Sequence, residues 1–82
     1  MATRVAVVSI VVENPDAVDR LNDLLHEYRQ EIIGRMGIPY PKKNISIICV
    51  AMDATADRIN ALSGALGRLA GLSAKVTYSK AE

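Results

Sequence analysis

Residues 5–16 read "VAVVSIVVENPD", and the break inside this stretch decides the fold. Val5 to Val12 is dense in β-branched side chains, which fit a pleated and packed surface and read as a strand. The strand stops at Asn14, a good helix N-cap, and Pro15 follows at the first helical position, where its missing N–H does no harm. Asp16 and Asp19 then suit the positive end of a helix dipole. A strand running straight into a helix is the expectation.

Beyond the break, Val18, Leu21, Leu25, Tyr28 and Ile32 recur at steps of three and four residues, an apolar stripe on a helix expected to reach about Gly34. Gly34 and Gly37 read as helix-ending positions. Ile38 to Tyr40 is expected to form a short edge strand, where Pro39 can turn its missing N–H to solvent, and "PKKN" makes the turn after it. Ile45 to Met52 reads as a second strong strand. Asp53 to Thr55 leads into a second helix with Ile59, Leu62, Leu66 and Leu69 on one side, ended by Gly71. The last run alternates apolar Leu72, Ala74, Val76 and Tyr78 with polar neighbours, as a half-exposed strand does.

The order is strand, helix, short strand, strand, helix, strand. Two split β-α-β units of this kind give an α+β ferredoxin-like βαββαβ sandwich, a four-stranded antiparallel sheet with both helices on one face. A strand with one wet face should alternate, yet the first and third strands are apolar on both. Val5, Val7 and Val11 stand opposite Ala6, Val8, Ile10 and Val12, and Ile45, Ile47 and Cys49 stand opposite Ile48, Val50 and Met52. Something must cover the open face, and a second copy of the chain is the simplest cover.

Length and composition point the same way. With 82 residues, the chain (1–82) is expected to be one domain. A domain of this size buries only about 60% of its unfolded surface, so a 50% hydrophobic content is more than a monomer comfortably hides. A homo-oligomer, dimer or tetramer, built through the sheet face and edges is therefore expected. Ten basic and nine acidic residues leave a net charge of +1, which gives no electrostatic case for direct nucleic-acid or membrane binding. The first apolar run, near ten residues, is shorter than the roughly 20 of a spanning helix and lacks a signal-peptidase pattern, so a cytoplasmic protein is expected. One cysteine allows no internal disulfide.

Catalytic chemistry needs convergent polar groups, and these are scarce. His26 is the only histidine and Cys49 the only cysteine; Cys49 reads as a small core residue and His26 as a hydrogen-bonded or solvated residue on a helix flank. No enzyme activity, cofactor or metal is expected, since a structural zinc site wants four such ligands. "SGALGRLAG" has glycines at helical steps but no phosphate-loop lysine. Gly64 and Gly67 inside a helix instead suggest close approach of another backbone. Lys42 and Lys43, with Arg35 nearby, read as a solvated turn.

Two segments carry a family likeness. "SIVVENPDAVDRLNDLLHEYRQEIIGRMGIPY" and "NISIICVAMDATADRINALSGALGRLAGLSAKV" resemble the small proteins named iron-only hydrogenase system regulators, with "LLHEYRQEI", "GIP" and "INALSGALGRLAGL" as the most telling pieces. The resemblance covers about Val5 to Tyr78. It implies an ACT-like fold and a non-enzymatic regulatory role, in transcriptional regulation of a hydrogenase system, through a small effector or a protein partner. The alternative is a structural assembly module with no small-molecule ligand.

More distantly, the arrangement is similar to the C-terminal effector domain of nickel-responsive repressors, an ACT-like tetramer. The helix histidine of those proteins matches His26, but the remaining nickel ligands fall on Gly37, Pro39 and near Ile45, so nickel sensing is not implied. The first strand begins so close to Met1 that no preceding DNA-binding segment is expected. ACT-type domains bind small molecules such as amino acids beside the first strand-to-helix loop, here "VENPDAV"; the family often has a glycine where Asp16 or Ala17 stands. Asn14, Asp16 and His26 are the expected effector-binding residues.

Overall fold

The computed structural model describes residues 2–80; Met1, Ala81 and Glu82, the ends of the expected 1–82 domain, lie outside the described residues. Strand β1 (Arg4–Val12) buries Ala6, Val8, Ile10 and Val12 and leaves Val5 and Val7 open, the period-2 alternation its sequence requires. Asn14 then caps a single 3-10 turn, Pro15–Ala17, and helix α1 follows at Val18–Glu27. Strand β2 (Ile32–Tyr40), a short turn at Pro41–Lys43, strand β3 (Ile45–Ala54), helix α2 (Ala56–Gly67) and strand β4 (Leu72–Tyr78) complete the order. The strands lie β2-β3-β1-β4, all neighbours antiparallel. This is the expected α+β, ferredoxin-like, ACT-like arrangement.

Register divides the sheet into two faces. Val8 stands opposite Val50 on one side and Val76 on the other, and Ile10 opposite Ile48 and Ala74. That face forms one core with Leu21 and Leu25 of α1 and Ile59, Leu62 and Leu66 of α2. Each such side chain, fully withdrawn from water, contributes roughly 1.5–3 kcal/mol. The helices are held at their ends as well: Thr55 Oγ1 caps α2 by accepting from the Arg58 N–H at 3.3 Å.

The structure corrects the sequence reading at four places. The first helix does not reach Gly34; it ends at Glu27, and after a 3-10 turn at Arg29–Glu31 the chain enters β2. Tyr28 and Ile32 keep their apolar period, but Ile32 and Ile33 are β-branched and Gly34 and Gly37 are poor helix formers, so pairing with β3 wins. The edge strand is therefore nine residues long and not only Ile38 to Tyr40, and both glycines lie within it. It carries an irregularity between Ile32 and Gly34, and Pro39 does sit on a sheet edge as expected.

Cys49 is no core residue: it is half-buried on the face turned away from the helices, opposite Ser9 and Met36. Finally, no backbone crowds the α2 glycines. A Cβ added at Gly64 would come within 3.6 Å of the Arg68 guanidinium, and one at Gly67 would meet nothing within 4 Å.

Candidate functional site

The open sheet face is built by the alternation of β1, β2 and β3. Across one row lie Ile38, Ile47 and Val11; across the next, Met36, Cys49 and Ser9; across the third, Gly34, Ala51 and Val7. Met36 is 57% exposed, Ile38 48%, Val7 41% and Ile47 36%, so these side chains meet water in the single chain. No charged residue interrupts the three rows. Polarity returns only on β4, where Ser73, Lys75 and Thr77 stand beside Val11, Ser9 and Val7.

The expected effector residues do not converge. Asn14 and Asp16 sit at the start of the α1 segment and His26 near its end, and the ten residue steps from Asp16 to His26 correspond to a rise of about 15 Å. Asn14 has structural duties: its Oδ1 accepts from the Asp16 N–H at 3.0 Å, and its own N–H donates to the Gly71 carbonyl at 2.9 Å. Removing that cap in Asn14→Ala should cost about 1 kcal/mol, whereas Asn14→Asp should nearly preserve stability, because either oxygen can accept. Equal thermal melts for wild type and Asn14→Ala would show that the cap contributes nothing.

His26 is exposed and lines a shallow cleft with Asn22, Leu25, Arg29, Ile32 and Arg35. Its backbone carbonyl accepts from Arg29 Nη1 at 2.9 Å, and Arg35 Nη2 donates to Asn22 Oδ1 at 2.6 Å. Sequence reading grouped Arg35 with the lysine turn. The signal it missed is parity: once Ile32–Tyr40 is a strand, Arg35 falls on the same face as Gly37 and Pro39, toward the helices.

A second cationic feature is structural. Arg58 of α2 donates through Nε and Nη2 to the Glu31 carboxylate at 2.9 and 2.6 Å, and its guanidinium lies 4.2 Å over the Tyr28 ring. The hydrogen bonds from Arg58 hold the Glu31 carboxyl below its ordinary pKa. This joint ties the end of α1 to α2 and fixes the direction in which the chain enters β2. Among the described residues, Arg58–Glu31 is the one ion pair, and no three His, Cys, Asp or Glu side chains are grouped to hold a metal. Nor, among them, is any helix long and apolar enough to cross a membrane.

Comparison with known proteins gives a consistent picture. The TM1266-like family model, described as "Iron-only hydrogenase system regulator, putative", matches residues 4–76. The chain is similar to the structure of the uncharacterized protein TM1266 from Thermotoga maritima, with 34% identity, TM-score 0.91, and 95% of this chain and 99% of that chain covered. It also shares its fold with the C-terminal domain of the MgtC protein from Mycobacterium tuberculosis, at 13% identity and TM-score 0.70, covering 98% of this chain and 92% of that one. A search of curated proteins found no match.

Proposed function

The chain belongs to the TM1266-like family, and from that premise we propose that it is a non-enzymatic regulatory protein of a hydrogenase system, working by binding rather than by chemistry. The observation that carries this reading is the open face of the sheet. Isolated apolar side chains on a surface need no explanation, but Val7, Val11, Met36, Ile38 and Ile47 adjoining across three rows mark an interaction surface.

The occupant that fits is a second copy of the chain. The three rows on β1, β2 and β3 carry no charge, so they meet their copy with no like-charge repulsion and bury no unpaired ion while Lys75 of β4 stays at the rim. The polar column on β4 gives such an interface a wet rim. Bringing two regulatory domains face to face also leaves both helices, and the clefts beside them, open to an effector.

Light scattering on a size-exclusion column should find the wild type as a dimer or tetramer and Ile47→Lys as a monomer with an unchanged circular dichroism spectrum. In the source organism, deletion of the chain should alter hydrogenase transcript levels, and Ile47→Lys should reproduce that change. A wild type that stays monomeric at high concentration would transfer the face to a different protein partner, the assembly-module reading. Unaltered hydrogenase transcripts in the deletion strain would remove the hydrogenase link.

A further inference from the structure

Three adjoining cavities form a groove between α1 and the edge strand β2. At the hairpin end, a cavity of about 290 Å³ is lined by Val12, Pro15, Val18 and Pro39. It shares Val18, Pro39 and Ser46 with a middle cavity of about 250 Å³, which shares Asn22 and Arg35 with the cleft of about 270 Å³ at His26. The middle is open for a simple reason: the helix-facing position of β2 there is Gly37, where an added Cβ would meet nothing within 4 Å.

The two ends differ in chemistry. Valines, prolines, Tyr40 and Ile45 line most of the hairpin end, with Asn44 and Ser46 among them, while Arg29, Arg35, His26 and Asn22 join Leu25 and Ile32 at the other; among the described residues no carboxylate lines any of the three cavities. Both arginines are held by neutral acceptors, the His26 carbonyl and the Asn22 side chain. Glu31, two residues from Arg29, is committed to Arg58. A guanidinium has five N–H donors in a planar fork, so each arginine keeps most of its donors for a ligand. Two such forks beside one cleft match the geometry of a carboxylate or phosphate head.

We propose that this groove binds a small amphipathic anion, its carboxylate or phosphate head between Arg29 and Arg35 and its apolar body lying over Gly37 toward Val18 and Pro39. Cation pairs without carboxylate partners select the head, and the apolar walls select against small hydrophilic anions of the same charge. The proposal names an effector class for the regulatory reading and rests on that reading only for its biological role. The groove lies on the helix side of the sheet, so pairing of two copies through the open face leaves it accessible.

The test is an NMR titration of the isotopically labelled protein with octanoate, octyl phosphate, acetate and 1-octanol, following backbone amides and the arginine Nε–Hε signals. Octanoate or octyl phosphate should give saturable shifts along α1 and β2, and the tighter of the two identifies the head. Acetate should perturb only the arginine end, and more weakly; octanol should bind at least about tenfold more weakly than the anions. The double substitution Arg29→Gln with Arg35→Gln should weaken the anions by about tenfold or more while leaving the spectrum dispersed. Gly37→Val should weaken octanoate to the level of acetate and leave acetate unchanged, because it fills the groove and spares the head.

Unsaturable shifts, equal affinity in the double variant, or shifts confined to Val7, Met36 and Ile47 on the open face would each overturn the proposal. Octanoate binding that persists while deletion leaves hydrogenase transcripts unaltered would sink the regulatory reading alone. Absence of binding by a dimer that does regulate would sink the groove alone.

Discussion

Leu62→Ala is expected to lower the unfolding free energy by about 3 kcal/mol and the melting temperature by roughly 15 °C. Leu62 is fully buried at the centre of the α2 face that packs on the sheet. Truncation removes the transfer free energy of the lost carbons and leaves a cavity that the close-packed neighbours fill only in part. The effect is large against the whole: about 0.05–0.15 kcal/mol per residue over 82 residues gives a total of only ~4–12 kcal/mol. Leu69→Ala, beyond the end of α2 and only half-buried, should cost much less. Urea unfolding of both at fixed protein concentration is the measurement; equal losses would mean that the core is not centred where the burial places it.

Gly71→Ala is expected to cost about 2–3 kcal/mol, for reasons that do not involve the core. Gly71 has φ +87°, in the left-handed region, and an added Cβ would stand 2.7 Å from the Cβ of Asn14. The contact cannot relax cheaply. The Gly71 carbonyl accepts from the N–H groups of Glu13 and Asn14 at 2.8 and 2.9 Å, so moving either segment strains both the β1–α1 loop and the entry to β4. Gly34→Ala is the control: it has no positive φ and, in the single chain, open space, so at concentrations too low for copies to pair the lower entropy of the unfolded chain should make it neutral or slightly stabilising. Thermal melts showing equal effects at Gly34 and Gly71 would dismiss the conformational argument.

Much of the architecture was legible because it depends on local rules. Val5 to Val12 could only be a strand buried on at least one face, Asn14 and Pro15 could only open a helical turn, and the leucine spacing of α2 fixed its buried side. The apolar excess on both faces of β1 and β3 was also readable, and with it the need for a cover over the open face. The first helix was misread past Glu27 because an apolar step of four, from Tyr28 to Ile32, serves a helix and a 3-10 turn leading into a strand equally well.

The candidate site was less legible than the fold. His26 could be singled out as a lone histidine, but its neighbours could not, since Arg29, Asn22 and Arg35 come from a 3-10 turn, a helix face and a strand. What the sequence by itself determined was the element order, the buried faces and the existence of an uncovered sheet surface, all consequences of side-chain period and burial. Only the tertiary structure decided where β2 begins, and hence that Arg35 turns toward α1 while Met36 turns away. The physical reason is parity: in a strand, one residue of register carries a side chain from one face to the other, and that register is set by hydrogen bonds to a partner strand distant in the chain.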